Sequence, residues 1–185
     1  MYKRQVYEPC ERRPVCAFAD GASWIYQGSF SKSFAPGLRL GYLAASEDLF
    51  EPLMRLKQAA DLHSNRLSQW LVLQYLQAPN RRERLAKVAQ GYAAKRDRFA
   101  EQLQRHLGNR VTWTTPPGGL FFWVELQAHV DAQALFEAAL RRGVLFTPGD
   151  HFRVEPGPPA MRLNFSLAEP DAAERGLAVL GELLA

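Results

Sequence analysis

The sequence predicts an α/β chain in two parts, and three observations carry the prediction. Short apolar strands alternate with amphipathic helices along the 185 residues, the pattern of a sheet covered by helices. Gly and Pro gather between these segments, at Pro36-Gly37, Ala78-Pro79-Asn80 and Pro116-Pro117-Gly118-Gly119, where turns belong. A long basic helix separates a first part with two strands from a second part with several.

The elements follow in order. Val6 to Gly21 shows no period and reads as loop. Trp24 to Gln27 is a short apolar strand, and Leu38 to Ala45 is a second. Glu47 to about Ala60 reads as helix, with Leu49, Leu53 and Leu56 on one side and Ser46 as N-cap. Asn65 to Gln77 repeats the pattern with Leu67, Trp70, Leu71, Leu73 and Leu76, and Ala78-Pro79-Asn80 stops it. In the long helix, ending near Gly108, Leu85, Val88, Tyr92, Phe99, Leu103 and Leu107 recur at three-, four- and seven-residue steps. Val111 to Thr115 and Leu120 to Leu126 read as strands around the Pro-Gly turn, with Phe121, Phe122 and Trp123 as core. Ala132 to Arg142 is a helix that Gly143 ends. Val144 to Thr147 and Met161 to Phe165 are strands, and Pro170 to Leu184 is the closing helix. The boundary falls near residue 80, giving parts 1–79 and 80–185.

Composition narrows the classes. No run approaches the roughly 18 apolar residues of a membrane span, and no secretory leader pattern opens the sequence. Cys10 and Cys16 are too few for a disulfide framework, and metal-ligand spacing is absent. Two reduced thiols suit a cytoplasmic protein. Net charge is +4, but residues 81–110 hold nine Lys/Arg against three Asp/Glu. Because that stretch carries an apolar stripe, its charges are read as a solvated helix face rather than a nucleic-acid surface.

The chemistry concentrates in Gly28-Ser-Phe-Ser-Lys-Ser-Phe-Ala-Pro-Gly-Leu-Arg-Leu-Gly-Tyr42. Lys32 follows the apolar run Trp24-Ile25-Tyr26, with Ser29 and Ser31 three and one residues before it. Arg39 comes seven residues later, past a turn. Two hydroxyls and a planar guanidinium suit a phosphate monoester. An amine beside such a cup suits a Schiff-base aldehyde cofactor. Ser29-Phe-Ser-Lys32 also matches a Ser-x-x-Lys nucleophile motif, but Pro36 and Gly37 interrupt the helix which that motif must open. Further on, strand alternation sets Arg162 on the opposite face from Leu163, available as a bidentate carboxylate clamp.

These residues resemble the cofactor-lysine motif of fold-type I pyridoxal-phosphate enzymes, specifically class I/II aminotransferases. The resemblance continues through Pro117-Gly-Gly-Leu-Phe-Phe-Trp-Val-Glu-Leu126, Gly143-Val-Leu-Phe-Thr-Pro-Gly149 and Met161-Arg-Leu-Asn-Phe-Ser166. It implies that Lys32 is the catalytic lysine and binds pyridoxal 5'-phosphate as a Schiff base. Ser29, Ser31 and Arg39 would hold the cofactor phosphate, and Arg162 the substrate α-carboxylate. The implied activity is transamination between an α-amino acid and a 2-oxo acid, in a homodimer with the site at the subunit interface.

Family members carry a longer N-terminal part that supplies most of a large sheet and several cofactor contacts. The chain therefore reads as the C-terminal portion of that fold, a remnant of the large-domain sheet (1–79) followed by an α+β small domain (80–185). Two strands without their neighbours would leave edges and apolar faces open. Met1 to Gln5 falls outside the resemblance and reads as an artefact. A second reading remains open, because some winged helix-turn-helix transcription regulators carry a similar domain and a similar Ser-Lys-Arg loop. Such a protein would have nucleic acid as a partner.

Overall fold

The computed structural model describes residues 6–8 and 13–185. They form two compact units that meet in sequence at Lys87 and Val88, with Val6–Glu8 belonging to the second. Cys10 and Met1 to Gln5 lie outside the described residues.

In the first unit, β1 (Ile25–Ser29) and β2 (Gly41–Ala45) pair antiparallel from Ile25↔Ala45 to Ser29↔Gly41. The expected second strand is shorter, because Pro36–Leu38 turn as a 3-10 helix. Helix α1 (Glu47–Asp61) starts after Ser46. That serine's side chain caps no backbone amide of the helix. Its hydroxyl instead accepts from the Trp24 amide at 3.1 Å, which ties the helix entry to the strand entry. Helix α2 (Arg66–Gln77) is capped by Asn65, whose side chain accepts from the Ser68 amide at 2.9 Å. Helix α3 (Arg81–His106) begins in this unit and continues into the next.

The second unit is a four-stranded antiparallel sheet under three helices. The strands are β3 (Val111–Trp113), β4 (Phe121–Leu126), β5 (Thr147–Pro148) and β6 (Ala160–Asn164), in the order β3-β4-β6-β5. One sheet face carries Phe122, Val124, Leu126, Met161 and Leu163. Against it pack Phe99 and Leu103 of α3 with Leu107 just after it, Leu135 and Ala139 of α4 (Ala132–Arg141), and Leu177 and Leu180 of α5 (Pro170–Leu183). Phe122 is fully enclosed, with ring centroids 5.4 Å from Phe99 and 5.6 Å from Phe165.

Four expectations change here. The predicted strand over Val144 to Thr147 contributes only Thr147 to a ladder. Val144 is used instead to end α4, donating its amide to Ala139 O at 2.9 Å after Gly143 adopts φ 78°. Phe121 and Trp123 leave the core, because pleating turns them away from the face that Phe122 and Val124 occupy. Within the basic helix, Arg96 is buried rather than solvated, donating to Pro116 O at 2.9 Å and pairing with Glu8 and Asp97. Val6 pairs with Gly118 as an isolated β-bridge, inside a stretch that reads as loop.

Candidate functional site

The Lys32 loop is built on the β1–β2 hairpin. Its neck closes where the Phe30 amide donates to Leu40 O at 3.1 Å. Ser29 and Ser31 flank one side of that neck and Arg39 the other, so the pairing gathers residues ten apart in sequence. Lys32 falls in the turn over residues 31–34, and the amides of Ser33, Phe34 and the following Ala35 all bond Phe30 O. Phe30 is itself buried and anchors the turn. The loop is also held from α2: the Tyr75 hydroxyl donates to Ser33 O at 3.0 Å, and its ring stacks on Phe34 at 4.1 Å. Tyr75 gives no sequence signal for this role, since it acts across 42 residues.

Local geometry explains the small residues around the loop. A Cβ at Gly28 would lie 2.1 Å from the Tyr42 ring, so only glycine lets that ring cover the strand. Arg39 ends the Pro36–Leu38 turn in the left-handed region at φ 49°. A non-glycine residue held there costs on the order of 1 kcal/mol. Its Nη1 donates to Pro36 O at 3.3 Å, while the side chain stays exposed. Ser29 Oγ accepts from the Ser31 amide at 3.2 Å. The donor set at this loop, one amine with two hydroxyls and a guanidinium, can bind an anionic monoester and carry a carbonyl on the amine.

Arg162 belongs to the second unit. On β6 it sits opposite Trp123 of β4 and Thr147 of β5, on the face away from the core. Its guanidinium carbon lies 4.2 Å from the Phe121 ring centroid and 4.4 Å from that of Phe152. Nη2 reaches Thr147 Oγ1 at 3.4 Å. Nε is buried without a hydrogen-bond partner, a property shared among the described residues only with Arg81 Nε. An unsatisfied buried donor calls for an explanation. Sequence reasoning picked out Arg162 but missed Thr147, on the neighbouring strand β5, and Phe152, in the turn that follows it. Alternation along β4 could have flagged Phe121, since Phe121 and Trp123 share one face and Phe122 and Val124 the other.

Among the described residues, no group of three or more His, Cys, Asp or Glu could hold a metal. No described helix is long and apolar enough to cross a membrane.

Comparison with known proteins places this geometry. The family model for aminotransferase class I and II matches residues 1–180. Met1 to Gln5 therefore lies inside the match, which corrects the expectation that these residues are foreign. An uncharacterised aminotransferase of Saccharolobus solfataricus is 34% identical over 97% of this chain and 45% of its own length. The crystal structure of kynurenine aminotransferase from Pyrococcus horikoshii, in complex with PMP, superposes with a TM-score of 0.90 at 29% identity, covering 99% of this chain and 46% of that one. An uncharacterised helix-turn-helix transcriptional regulator of Bacillus subtilis is 32% identical over 95% of this chain and 36% of its own length. The chain thus spans less than half the length of the relatives it matches.

Proposed function

We propose, from the premise that this chain belongs to the class I and II aminotransferase family, that it serves a pyridoxal-phosphate-dependent enzyme. That enzyme moves an amino group from an α-amino acid to a 2-oxo acid. The observation that carries the reading is the closed neck of the loop at Phe30 and Leu40, which brings Ser29, Ser31 and Arg39 around the turn that bears Lys32.

The residues present fit pyridoxal 5'-phosphate. Lys32 offers the amine for its aldehyde, and Ser29, Ser31 and Arg39 offer neutral and charged donors for its phosphate. When bound, the cofactor supplies an electron sink for the pair released as the substrate Cα–H bond breaks. The rest falls to the chain. Arg162 takes the α-carboxylate edge-on and so orients the Cα–H bond. The Lys32 amine, once free of the cofactor, would take the proton from the substrate Cα and deliver it to the carbon that had been the cofactor's aldehyde. Residues 1–79 are then the cofactor-binding remnant of the large domain, and 80–185 the bridging helix with the small domain. We take the complete protein to be a cytoplasmic homodimer.

The likeness to the Bacillus subtilis regulator supports a second reading, an effector domain that binds the same cofactor without turning it over. The partnerless Nε of Arg162 favours the enzyme, because a substrate carboxylate gives it an acceptor. Borohydride reduction of the chain mixed with pyridoxal phosphate tests the site. Mass spectrometry should find the label on Lys32 and lose it in Lys32→Ala. Scattered labelling that the variant leaves unchanged would overturn the assignment. In the complete protein, Lys32→Ala should abolish transamination, whereas a regulator shows none to abolish.

A further inference from the structure

Arg162 is held between two aromatic rings that come from different places in the fold. Phe121 pairs with Asn164 on the neighbouring strand, so it is the diagonal neighbour of Arg162 and its long side chain can reach across. Phe152 closes the 3-10 turn Gly149–Phe152 that follows β5. That turn lies tight on the sheet because its first residue is glycine. A Cβ at Gly149 would come within 2.8 Å of Ala160 Cβ and 3.1 Å of the Trp123 ring. Trp123 then meets Phe152 edge-on, with centroids 5.9 Å apart.

We infer that Phe121 and Phe152 are positioning residues that fix the plane of the Arg162 guanidinium and so set the affinity of this site for a carboxylate. The inference rests on the reading of Arg162 as the carboxylate clamp. A guanidinium is planar and all of its N–H groups lie in that plane. With one ring 4.2 Å and another 4.4 Å from its central carbon, rotation about the terminal bonds is restricted and the faces are occupied by aromatic carbon. Only the edge remains to donate. One edge donor, Nη2, has a long contact to Thr147 Oγ1 at 3.4 Å, and another, Nε, has no partner at all. The Nε–Nη2 edge is thus short of acceptors, and a flat two-oxygen acceptor that enters along it would satisfy both donors. The two rings also give the charge cation–π attraction, which supports the side chain while no anion is bound.

Phe152 makes the clean test, because it is 48% exposed and lies outside the core. Its replacement therefore spares the fold, whereas Phe121 is shared with the strand pairing. The 185-residue chain is labelled on arginine nitrogens and titrated with acetate, following the Nε–H signal that Arg162→Gln removes. In the wild type this signal should be shifted by the rings and should move saturably with acetate. In Phe152→Leu it should lose much of the ring shift, and acetate affinity should fall about tenfold. Phe152→Tyr should restore both. Equal acetate affinity in wild type and Phe152→Leu would overturn the inference and leave Arg162 as a clamp. No acetate response in the wild type, with the ring shift present, would overturn the clamp reading itself. In the loaded complete enzyme, Phe152→Leu should raise KM for both the amino acid and the 2-oxo acid with kcat little changed; a fall in kcat at constant KM would also count against it.

Discussion

The two units spend their apolar side chains differently. In the second, α3, α4 and α5 press their stripes onto one sheet face, and Leu103, Ala139, Phe122, Val124 and Met161 lose all contact with solvent. In the first, only Phe30 and Val72 among the described apolar residues are buried, while Phe50, Leu56, Leu67, Trp70 and Leu73 stay open. Yet α1 is amphipathic in sequence about as strongly as α5, and α2 carries an apolar stripe too. Amphipathic patterning specifies a helix and a face, but stability comes from what covers the face. The second unit supplies that cover from its own residues; the first does not.

The largest effects should therefore fall on one side of the chain. Phe122→Ala leaves a cavity in a closed core and should cost about 3–5 kcal/mol. Trp70→Ala removes a side chain that is 55% exposed, and unfolding stability should change by no more than about 0.5 kcal/mol. Urea titration of both variants checks the contrast. A Trp70→Ala loss as large as that of Phe122→Ala would show that the first unit hides a core of its own.

Sequence reading recovered the helices nearly to the residue, because Asn65, the Ala78-Pro79-Asn80 break and Gly143 are local signals. It also grouped Lys32, Ser29, Ser31 and Arg39, because they lie within one short stretch of chain. It lost what depends on distant contacts. Val144 reads as strand by its branched side chain, but the end of α4 claims its amide. Arg96 reads as one more charge on a basic face, and its partners Glu8 and Pro116 come from far along the chain, with Val6–Glu8 folded back beside Pro117. Phe152 sits in a loop with no period to mark it, and it gains a role only where the Gly149 turn lies down on the sheet.

Arg96 sharpens the comparison with a polar group inside the packed unit. It donates to Pro116 O, pairs with Glu8 and Asp97, and lies 5.6 Å over the Tyr7 ring. Arg96→Met keeps much of the bulk but leaves Pro116 O and the ion pairs unmatched. Both carboxylates are half exposed, at 53% and 56%, and water will satisfy them. The expected loss is about 1–3 kcal/mol, below that of Phe122→Ala, and thermal melting of the two variants side by side orders them. Tyr7 gives the same region a pH signature. Burial, then the nearby Tyr92 ring, push its phenol up to about 12 against the opposing pull of Arg96. Between pH 10 and about 12 the folded chain keeps a proton that the unfolded chain has lost, so stability falls as pH rises through that window. Tyr7→Phe should flatten the fall, and tyrosinate absorbance should show one phenol titrating late in the wild type only.

Two carboxylates, one in each unit, give the smallest and most diagnostic test. Glu174 accepts from His106 and Arg105, both at 2.7 Å, and these contacts hold its carboxyl below the ordinary value of 4.5. Asp48 accepts from Ser23 at 2.6 Å, and that bond, with one from Ser46, holds it below 3.8. In each case the folded chain binds the proton less tightly than the unfolded one. Each pair therefore stabilises above the unfolded carboxylate value and loses its contribution as pH falls through the lower folded one. Glu174→Gln and Asp48→Asn should thus be less stable than wild type near neutrality and indistinguishable from it once both carboxylates are protonated. The units should separate in what the loss reaches. Glu174 joins α5 to the end of α3 across the closed core, so its titration should register in the cooperative unfolding of the second unit. Asp48 opens a helix with no buried residue, so its titration should register only in hydrogen exchange near α1. If Asp48→Asn shifts the cooperative transition by as much as Glu174→Gln does, the two units unfold as one, and the contrast drawn between them does not extend to their energetics.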